Sequence, residues 1–272
     1  MNKWKIAWLR AMSIILGFGI IWIFVGGEGP RQTLKVVMPT PTIVEKKVKI
    51  AVMSDIHNDG EQLSKMLKMA KKDEVKIVIL AGDLTNDGKE SELSKIKKVL
   101  TDSSMNYAVV PGNHEYYPDK FLKYFGKNYQ SIKIEEIKLI LIDNSYWKGL
   151  GEEQKRWIER ETRECKLLVC VAIMHKPLNN SFSIHIMGEN NKVAAAEAVW
   201  LKNLLVESGV KQIEAGHLHY ASSYELEGIR TDIVGAISRD RNSQSPRYTE
   251  LMIGKNSIDR KVVVEGENDT GN

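Results

Sequence analysis

The sequence is poor in the residues on which several classes of protein depend. Only 7 of its 272 residues are proline and 43% are hydrophobic, which excludes a collagen-like, low-complexity or largely disordered chain. Two cysteines are too few for a disulfide framework or a four-thiolate metal site. The net charge of +4 is too small to indicate a nucleic acid partner. Histidine is also scarce, with six residues, so the positions of the histidines are informative.

The longest stretch without a charged residue is residues 11–27, close to the N-terminus. If Arg10 reaches the headgroups, the apolar span approaches the roughly 20 residues that a spanning helix needs. This pattern predicts a transmembrane helix within residues 1–30, with its basic flank in the cytoplasm and the rest of the chain outside. A cleaved signal peptide is the alternative, and it is less favoured because no small-x-small cleavage site precedes Gly26.

The remaining chain divides into three parts. Residues 31–46 contain Pro39 and Pro41 and are interpreted as an extended linker. Residues 47–265 are predicted to form one domain, and residues 266–272 a polar tail. Without residues 1–30 the net charge falls to +2, so the domain is nearly neutral.

Within the domain, apolar runs alternate with segments of helical periodicity. The predicted strands are residues 48–55, 75–83, 106–112, 167–175 and 212–219, with a hairpin over 131–144. Helices are predicted over 61–71, 89–100, 151–163 and 193–207, and residues 223–265 are interpreted as strands without a helix. Nearly continuous apolar strands indicate sheets that are covered on both faces. The fold class is therefore α/β, with mixed sheets.

Metal-competent side chains follow five of these strands directly. The residues are Asp55, His57, Asp83, Asn113, His114, His175, His217 and His219. Five of the six histidines are in this set, and His185 is interpreted as a loop residue. In open α/β sheets, ligands bind at the carboxyl ends of the strands. The sequence therefore predicts a site at this edge.

The spacing of these residues and their chemistry indicate a metal site. Side chains at i and i+2 of an extended chain point to one side, so Asp55 and His57 are expected to reach one ion together. The glycines before Asp83, Asn113 and His217 permit tight turns or a close approach of the backbone. Imidazole, carboxylate and amide ligands without thiolate suit Mn, Fe or Zn.

These motifs resemble those of the calcineurin-like metallophosphoesterase family. The matching residues are D-I-H at 55–57, G-D at 82–83, G-N-H-E at 112–115, His175 and G-H-L-H at 216–219, over about residues 48–265. The resemblance implies a four-layer αββα sandwich, in which two mixed β-sheets are flanked by helices.

The resemblance also implies roles for individual residues. One of two divalent ions would be held by Asp55, His57, Asp83 and His219, and the other by Asp83, Asn113, His175 and His217. Asp83 would bridge the ions, and a hydroxide between them would attack phosphorus. His114 would not bind metal but would stabilise the transition state or act as the general acid.

Two positions depart from the protein Ser/Thr phosphatase branch of the family. That branch has an aspartate that orients the catalytic histidine, and here Asn86 takes its place. Asn86 can accept a hydrogen bond but lacks the negative charge of an aspartate. Pro111 stands where that branch has arginine. Both departures point away from phosphoprotein substrates.

The sequence also suggests roles for several residues outside the predicted metal site. Glu115 either orients a ligand or is an acid near the start of a helix. Arg241, with Arg239 and Arg247, is expected to bind the phosphate or a glycan headgroup of the substrate. Cys165 and Cys170 are interpreted as free, mostly buried thiols, because an odd separation puts them on opposite faces of an extended strand.

These observations together predict a membrane-anchored, extracytoplasmic phosphoesterase with two divalent metal ions. Its substrate would be a phosphomonoester or phosphodiester, with a lipid or sugar linkage favoured by the anchor. A nuclease of the same family is one alternative, but it predicts a basic face and a salt-sensitive nucleic acid partner. A non-catalytic, membrane-anchored metal-binding module is the other, and it predicts an incomplete site.

Overall fold

The computed structural model describes residues 13–15, 20–22 and 47–266. The first two ranges are strands β1 (Ser13–Ile15) and β2 (Ile20–Trp22), which pair antiparallel. The structure thus differs from the predicted helix at these six residues, because isoleucine is β-branched and an apolar run does not distinguish strand from helix. The rest of the predicted anchor, the linker and residues 267–272 lie outside the described residues. No described helix has the length and hydropathy to cross a membrane.

The rest of the described chain contains eleven strands and five α-helices. The strands are β3 (Val48–Met53), β4 (Ile77–Ala81), β5 (Tyr107–Val110), β6 (Gln130–Ile134), β7 (Ile137–Ile142), β8 (Val169–Met174), β9 (Gln212–Ala215), β10 (Ser222–Leu226), β11 (Ile229–Ile233), β12 (Arg247–Ile253) and β13 (Ile258–Val264). The helices are α1 (Gly60–Lys72), α2 (Glu90–Ser103), α3 (Pro118–Phe125), α4 (Glu152–Thr162) and α5 (Lys192–Ser208).

The strands form two mixed sheets. One has the order β13-β12-β3-β4-β5, and the other has the order β10-β11-β9-β8-β7-β6. In the first sheet β3, β4 and β5 are parallel, and in the second β7, β8, β9 and β11 are parallel. In the first sheet the antiparallel strands β12 and β13 lie at one edge and the parallel strand β5 lies at the other, whereas in the second sheet the antiparallel strands β10 and β6 form the two edges. Each sheet therefore has a set of adjacent parallel strands whose carboxyl ends lie side by side.

Side chains that alternate along each strand divide the core into three clusters. From β3, Ile50 and Val52 pack against β7 and β8 of the other sheet. The intervening Ala51 and Met53 face α1 and α2. On the far side of the second sheet, α4 and α5 cover the other face of β7, β8 and β9. The layers are thus helices, sheet, sheet and helices, in agreement with the fold that the resemblance implies.

Helix α1 shows how local sequence positions an element. Leu63, Met66, Leu67 and Ala70 recur at helical spacing and are all buried against β3 and β4. Asp59 caps the helix, since its side chain accepts a hydrogen bond of 3.0 Å from the backbone N–H of Gln62. The cap thereby holds the start of α1 at Gly60, five residues after Asp55.

The strand and helix pattern predicted from the sequence is found throughout the domain, and the structure contains one α-helix that the prediction lacks. Helix α3 was not predicted, because it is eight residues long and buries only Phe121, which is too little for a periodic signal. Pro118 at its first position supports the helix start, since the missing N–H has no partner there in any case.

The interpretation of the two cysteines as free thiols is wrong, because Cys165 and Cys170 form a disulfide. The interpretation assumed that both residues are extended. Cys165 instead lies in a 3₁₀ helix (Arg163–Lys166), and the turn after it brings the two Cα atoms to 5.4 Å. Both residues are buried, as expected. The disulfide therefore ties the 3₁₀ helix that follows α4 to the start of β8.

Replacing both cysteines with alanine should lower the free energy of unfolding by about 2 kcal/mol, because the disulfide closes a short loop in the unfolded chain. Urea titrations of the wild type, the reduced wild type and the double variant measure this. The reduced wild type should match the variant. Two thiols titrated in unfolded protein without reductant would contradict the disulfide.

Candidate metal centre

The strand ends of both sheets meet at one edge of the domain. Strands β3, β4 and β5 end just before Asp55, Asp83 and Asn113, and β8 and β9 end just before His175 and His217. Because β3, β4 and β5 are parallel, as are β8 and β9, their carboxyl ends lie side by side within each sheet. The packing of the two sheets then brings the two rows of side chains together.

The first group of side chains lies around the end of β3. It consists of Asp55, His57, Asp83 and His219, whose ligand atoms lie within 4.8 Å of one another. The Nε2 atoms of His57 and His219 are 3.0 Å apart. Asp55 Oδ1 is 3.3 Å from Nε2 of His219, and Asp83 Oδ2 is 3.7 Å from Nε2 of His57. Two carboxylates and two imidazoles therefore point at one small volume.

The second group shares Asp83 with the first. Its other members in the same distance range are His175 and His217. Asp83 Oδ2 is 3.3 Å from Nε2 of His175, and the same nitrogen is 3.1 Å from the amide oxygen of Asn113. The structure thus brings together all seven residues for which the sequence predicts metal binding, with Asp83 at the centre.

The hydrogen bonds of the histidines leave nitrogen lone pairs facing this centre. Nδ1 of His175 is 2.9 Å from the carbonyl oxygen of Ala81, and Nδ1 of His219 is 2.6 Å from that of Arg241. A carbonyl oxygen only accepts, so Nδ1 carries the proton and Nε2 can bind metal. Nε2 of His217 is buried and has no hydrogen-bond partner among the residues that the structure describes. The donor set fits Mn, Fe or Zn.

Burial and charge set the protonation of these groups. Burial lowers the pKa of His57 to about 4 and that of His217 to about 2, so both are neutral, as metal ligands must be. Burial also acts to lower the pKa of His175, but the Asp83 carboxylate beside it raises that pKa to about 9. Burial would raise the pKa of Asp83, and His175 holds it well below its usual range instead. A divalent cation bound to Asp83 would oppose the rise at His175.

The backbone at these positions is mostly left-handed rather than extended. The φ angles are 56° at Asp55, 46° at His57, 51° at Asp83, 70° at His217 and 53° at His219. The argument from extended i and i+2 positions is therefore wrong in its geometry, although the side chains converge. Each such residue costs on the order of 1 kcal/mol or more, and strain of this kind collects at functional sites.

Glycine permits close approach at the three predicted positions. A Cβ atom on Gly112 would lie 2.1 Å from Asp83 Oδ1, and one on Gly82 would lie 2.5 Å from Nδ1 of His175. On Gly216 it would lie 1.8 Å from the hydroxyl of Ser54, the residue before Asp55. Any side chain at these positions would displace the groups around the centre.

His114 lies beside the first group of side chains. Its backbone N–H donates to Asp83 Oδ1 at 2.9 Å, and its ring is 4.8 Å from that of His57. Its Nδ1 is 2.6 Å from the carbonyl oxygen of Asn86. Asn86 therefore accepts a hydrogen bond as expected, but through its backbone rather than its side chain. This bond leaves Nε2 of His114 directed away from Asn86.

The structure separates the three arginines of residues 235–247. Arg241 lies at the centre, with Nη1 3.5 Å from Nε2 of His114. Arg239 instead forms an ion pair of 3.0 Å with Asp59, at the cap of α1. Arg247 donates to the carbonyl oxygen of Ser245. Arg241 alone among them contacts the candidate site.

Two residues left open by the sequence have defined contacts. Glu115 is buried and accepts hydrogen bonds from Thr85 and from the backbone of Gly112, so it braces the loop that carries Asn113. Burial raises the pKa of Glu115 to about 7. His185 is exposed, pairs with Glu189, and places its ring 6.4 Å from that of His217. The acceptor carbonyls behind the histidines were not predicted, since every residue has one.

The chain matches a known family over most of this domain. Residues 48–221 match the model of the calcineurin-like phosphoesterases. This range includes all seven residues of the two groups and His114.

Relatives and solved structures agree with this match. A probable cyclic nucleotide phosphodiesterase of Fibrobacter succinogenes is 24% identical over 250 residues, which cover 80% of this chain and 95% of that protein. A probable glycerophosphodiester phosphodiesterase of Arcobacter nitrofigilis is 26% identical over 160 residues, 54% of this chain and 58% of that protein. The fold is shared with a dimetal phosphatase of Danio rerio, with a TM-score of 0.59 and 13% identity over 80% of this chain and 98% of the other.

Gly112→Ala should weaken metal binding about tenfold or more, because the new methyl group would push against the Asp83 carboxylate. Titration of metal-free protein with Mn²⁺ measures the affinity. Gly60→Ala is the matched control, since its Cβ atom would meet only the end of the Val99 side chain, at 3.3 Å. Equal affinities in both variants would show that the close approach of Gly112 does not position Asp83.

Proposed function

The chain belongs to the calcineurin-like phosphoesterase family and is a hydrolase of phosphoester bonds, and on that premise we propose that it is a phosphodiesterase that uses two divalent metal ions. The observation that carries this proposal is the shared carboxylate of Asp83. Its Oδ2 atom lies 3.7 Å from Nε2 of His57 in one group and 3.3 Å from Nε2 of His175 in the other. A single carboxylate between two sets of imidazoles is suited to bridging two ions.

Each group supplies the ligands of one ion. One ion would be held by Asp55, His57, Asp83 and His219, and the other by Asp83, Asn113, His175 and His217. When bound, two divalent ions lower the pKa of water and neutralise charge on the phosphoryl oxygens. The carbonyls of Ala81 and Arg241 hold the rings of His175 and His219 in the orientation that binding requires.

His114 and Arg241 provide the other polar groups that face the substrate. With Nδ1 donating to Asn86, Nε2 of His114 would give a proton to the leaving oxygen when both ring nitrogens carry hydrogen. Arg241 lies beside that nitrogen, where its guanidinium would bind a phosphate oxygen. The two residues would thus act on different oxygens of one phosphate.

A diester is favoured over a monoester as the substrate. Both curated relatives described above carry phosphodiesterase names, although one is described for cyclic nucleotides and the other for glycerophosphodiesters. A lipid or sugar linkage in the substrate stays a prediction from the sequence.

We further propose that the domain works outside the cytoplasm, attached to the membrane by its apolar N-terminal segment. The disulfide between Cys165 and Cys170 supports an oxidising compartment. Residues 11–27, which lack charge, support membrane attachment. Protease added to intact cells should digest the domain, and the protein should sediment with membranes. A mature N-terminus near residue 27 would instead indicate a cleaved signal peptide.

His114→Ala should reduce the turnover of bis-p-nitrophenyl phosphate by about 100-fold or more while both metal ions stay bound, because His114 contributes a proton rather than a ligand. Turnover with Mn²⁺ and the metal content of the dialysed protein are the two measurements. His185→Ala is the control, since His185 is an exposed histidine of the same region. It should retain turnover.

The same assay tests the other assignments. Arg241→Ala should raise KM several-fold through the lost phosphate contact. Loss of metal in the His114 variant would make His114 a ligand. Absence of turnover of both bis-p-nitrophenyl and p-nitrophenyl phosphate by wild-type protein with two bound ions would contradict the enzymatic function, and a preference for the monoester would contradict the diesterase.

A further inference from the structure

We propose that an aromatic pocket beside the metal centre binds a nucleobase carried by the leaving alcohol of the substrate. The inference rests on the proposed phosphodiesterase function and names the substrate class for it. The pocket has a volume of about 320 Å³, which is within the range of small-molecule sites. We define the aromatic pocket by Asn113, Tyr116, Asn128, Tyr146, Trp147 and Lys176.

The aromatic pocket is continuous with the metal centre. Asn113 is a member of the second group of side chains and also lines the pocket. Lys176 follows His175 directly in the chain, is almost fully buried, and lines the same pocket. A phosphate at the centre would therefore have the pocket immediately next to it.

The position of His114 indicates which part of the substrate enters. Tyr116 of the pocket has its ring 5.7 Å from the ring of His114. A general acid must lie at the oxygen that leaves, so the group attached to that oxygen extends toward the acid's neighbours. The alcohol that leaves is thus the part of the substrate on the side of Tyr116.

Three rings offer their surfaces to such a group. Tyr116, Tyr146 and Trp147 are 59%, 50% and 61% exposed, and Tyr146 and Trp147 have ring centroids 6.1 Å apart. They lie on the loops after β5 and β7, at the same edge as the metal centre. Exposed aromatic rings in a pocket are the common platform on which nucleobases stack.

The polar groups of the pocket favour a base over an acyl chain. Asn128 and Ser145 line it, and both hydrogen-bond to the carboxylate of Asp143, at 2.9 Å and 2.6 Å. Lys176 adds a positive charge. A nucleobase has both a face that stacks on the rings and an edge that can exchange hydrogen bonds with these polar groups, whereas an acyl chain would cover them without forming any new hydrogen bond.

The reaction on such a substrate is a balanced hydrolysis. Water supplies a hydroxide that forms a bond to phosphorus, and the bond from phosphorus to the nucleoside oxygen breaks. The nucleoside oxygen takes the proton of Nε2 of His114, and the proton that the attacking water loses replaces it. A methyl nucleoside 5′-phosphate would therefore give the nucleoside and methyl phosphate, rather than the nucleotide and methanol.

The double variant with Tyr146→Ala and Trp147→Ala tests the pocket. It should lower kcat/KM for a methyl nucleoside 5′-phosphate at least tenfold, mainly through KM, because the stacking surface is lost. The value for methyl glycerol phosphate should change less than threefold. Phe182→Ala is the matched control, since Phe182 is 94% exposed and lies outside the pocket, and it should behave as the wild type. Product analysis by phosphorus NMR identifies the leaving group.

Other outcomes separate this inference from the proposed function. Equal turnover of the nucleoside and glycerol diesters by the wild type, or an equal loss on both in the double variant, would overturn the aromatic pocket and leave the phosphodiesterase intact. Preference for a methyl glucose phosphate would make it a sugar site and also overturn the inference. Failure of the wild type on every diester would contradict the proposed function and the inference together.

Discussion

The convergence of charged and polar side chains on the carboxylate of Asp83 is the constraint on which the rest of the site depends. Asp83 Oδ2 approaches His57 from its own sheet and His175 from the other sheet, and its Oδ1 accepts the backbone N–H of His114. No single sheet could supply these contacts. The site therefore exists only where the carboxyl edges of the two sheets are held at a fixed separation.

That separation is set by the apolar cluster between the sheets, which lies directly behind the centre. Side chains such as Val52, Ile79 and Ile173 fill it and are fully buried. A close-packed interior resists small shifts, so the strand ends keep their positions although several adjoining residues have strained backbones. Packing that contributes nothing to the chemistry thus maintains the geometry that the chemistry needs.

The sequence predicted the strands and the side chains that meet at their ends, because buried parallel strands have a strong apolar signal and their carboxyl ends share an edge. It could not predict the left-handed backbone at Asp55 or His217, since positive φ at a residue other than glycine depends on surrounding contacts. The disulfide was missed because a 3₁₀ turn changed the direction of Cys165. The carbonyl of Asn86 was missed because backbone acceptors carry no sequence signal.

The candidate metal ligands lie at the sheet edge, whereas the aromatic side chains that would determine substrate specificity lie on the loops. Short turns directly after the strands carry the candidate ligands, and these positions are constrained by packing on both sides. Tyr116, Tyr146 and Trp147 lie farther out on the loops, where a change of side chain disturbs little of the core. We expect a chain that keeps the candidate metal ligands to retain phosphoester hydrolysis. The choice of alcohol would depend on the three aromatic side chains. A relative's substrate is therefore a weaker guide to this chain than the rings that line its own pocket.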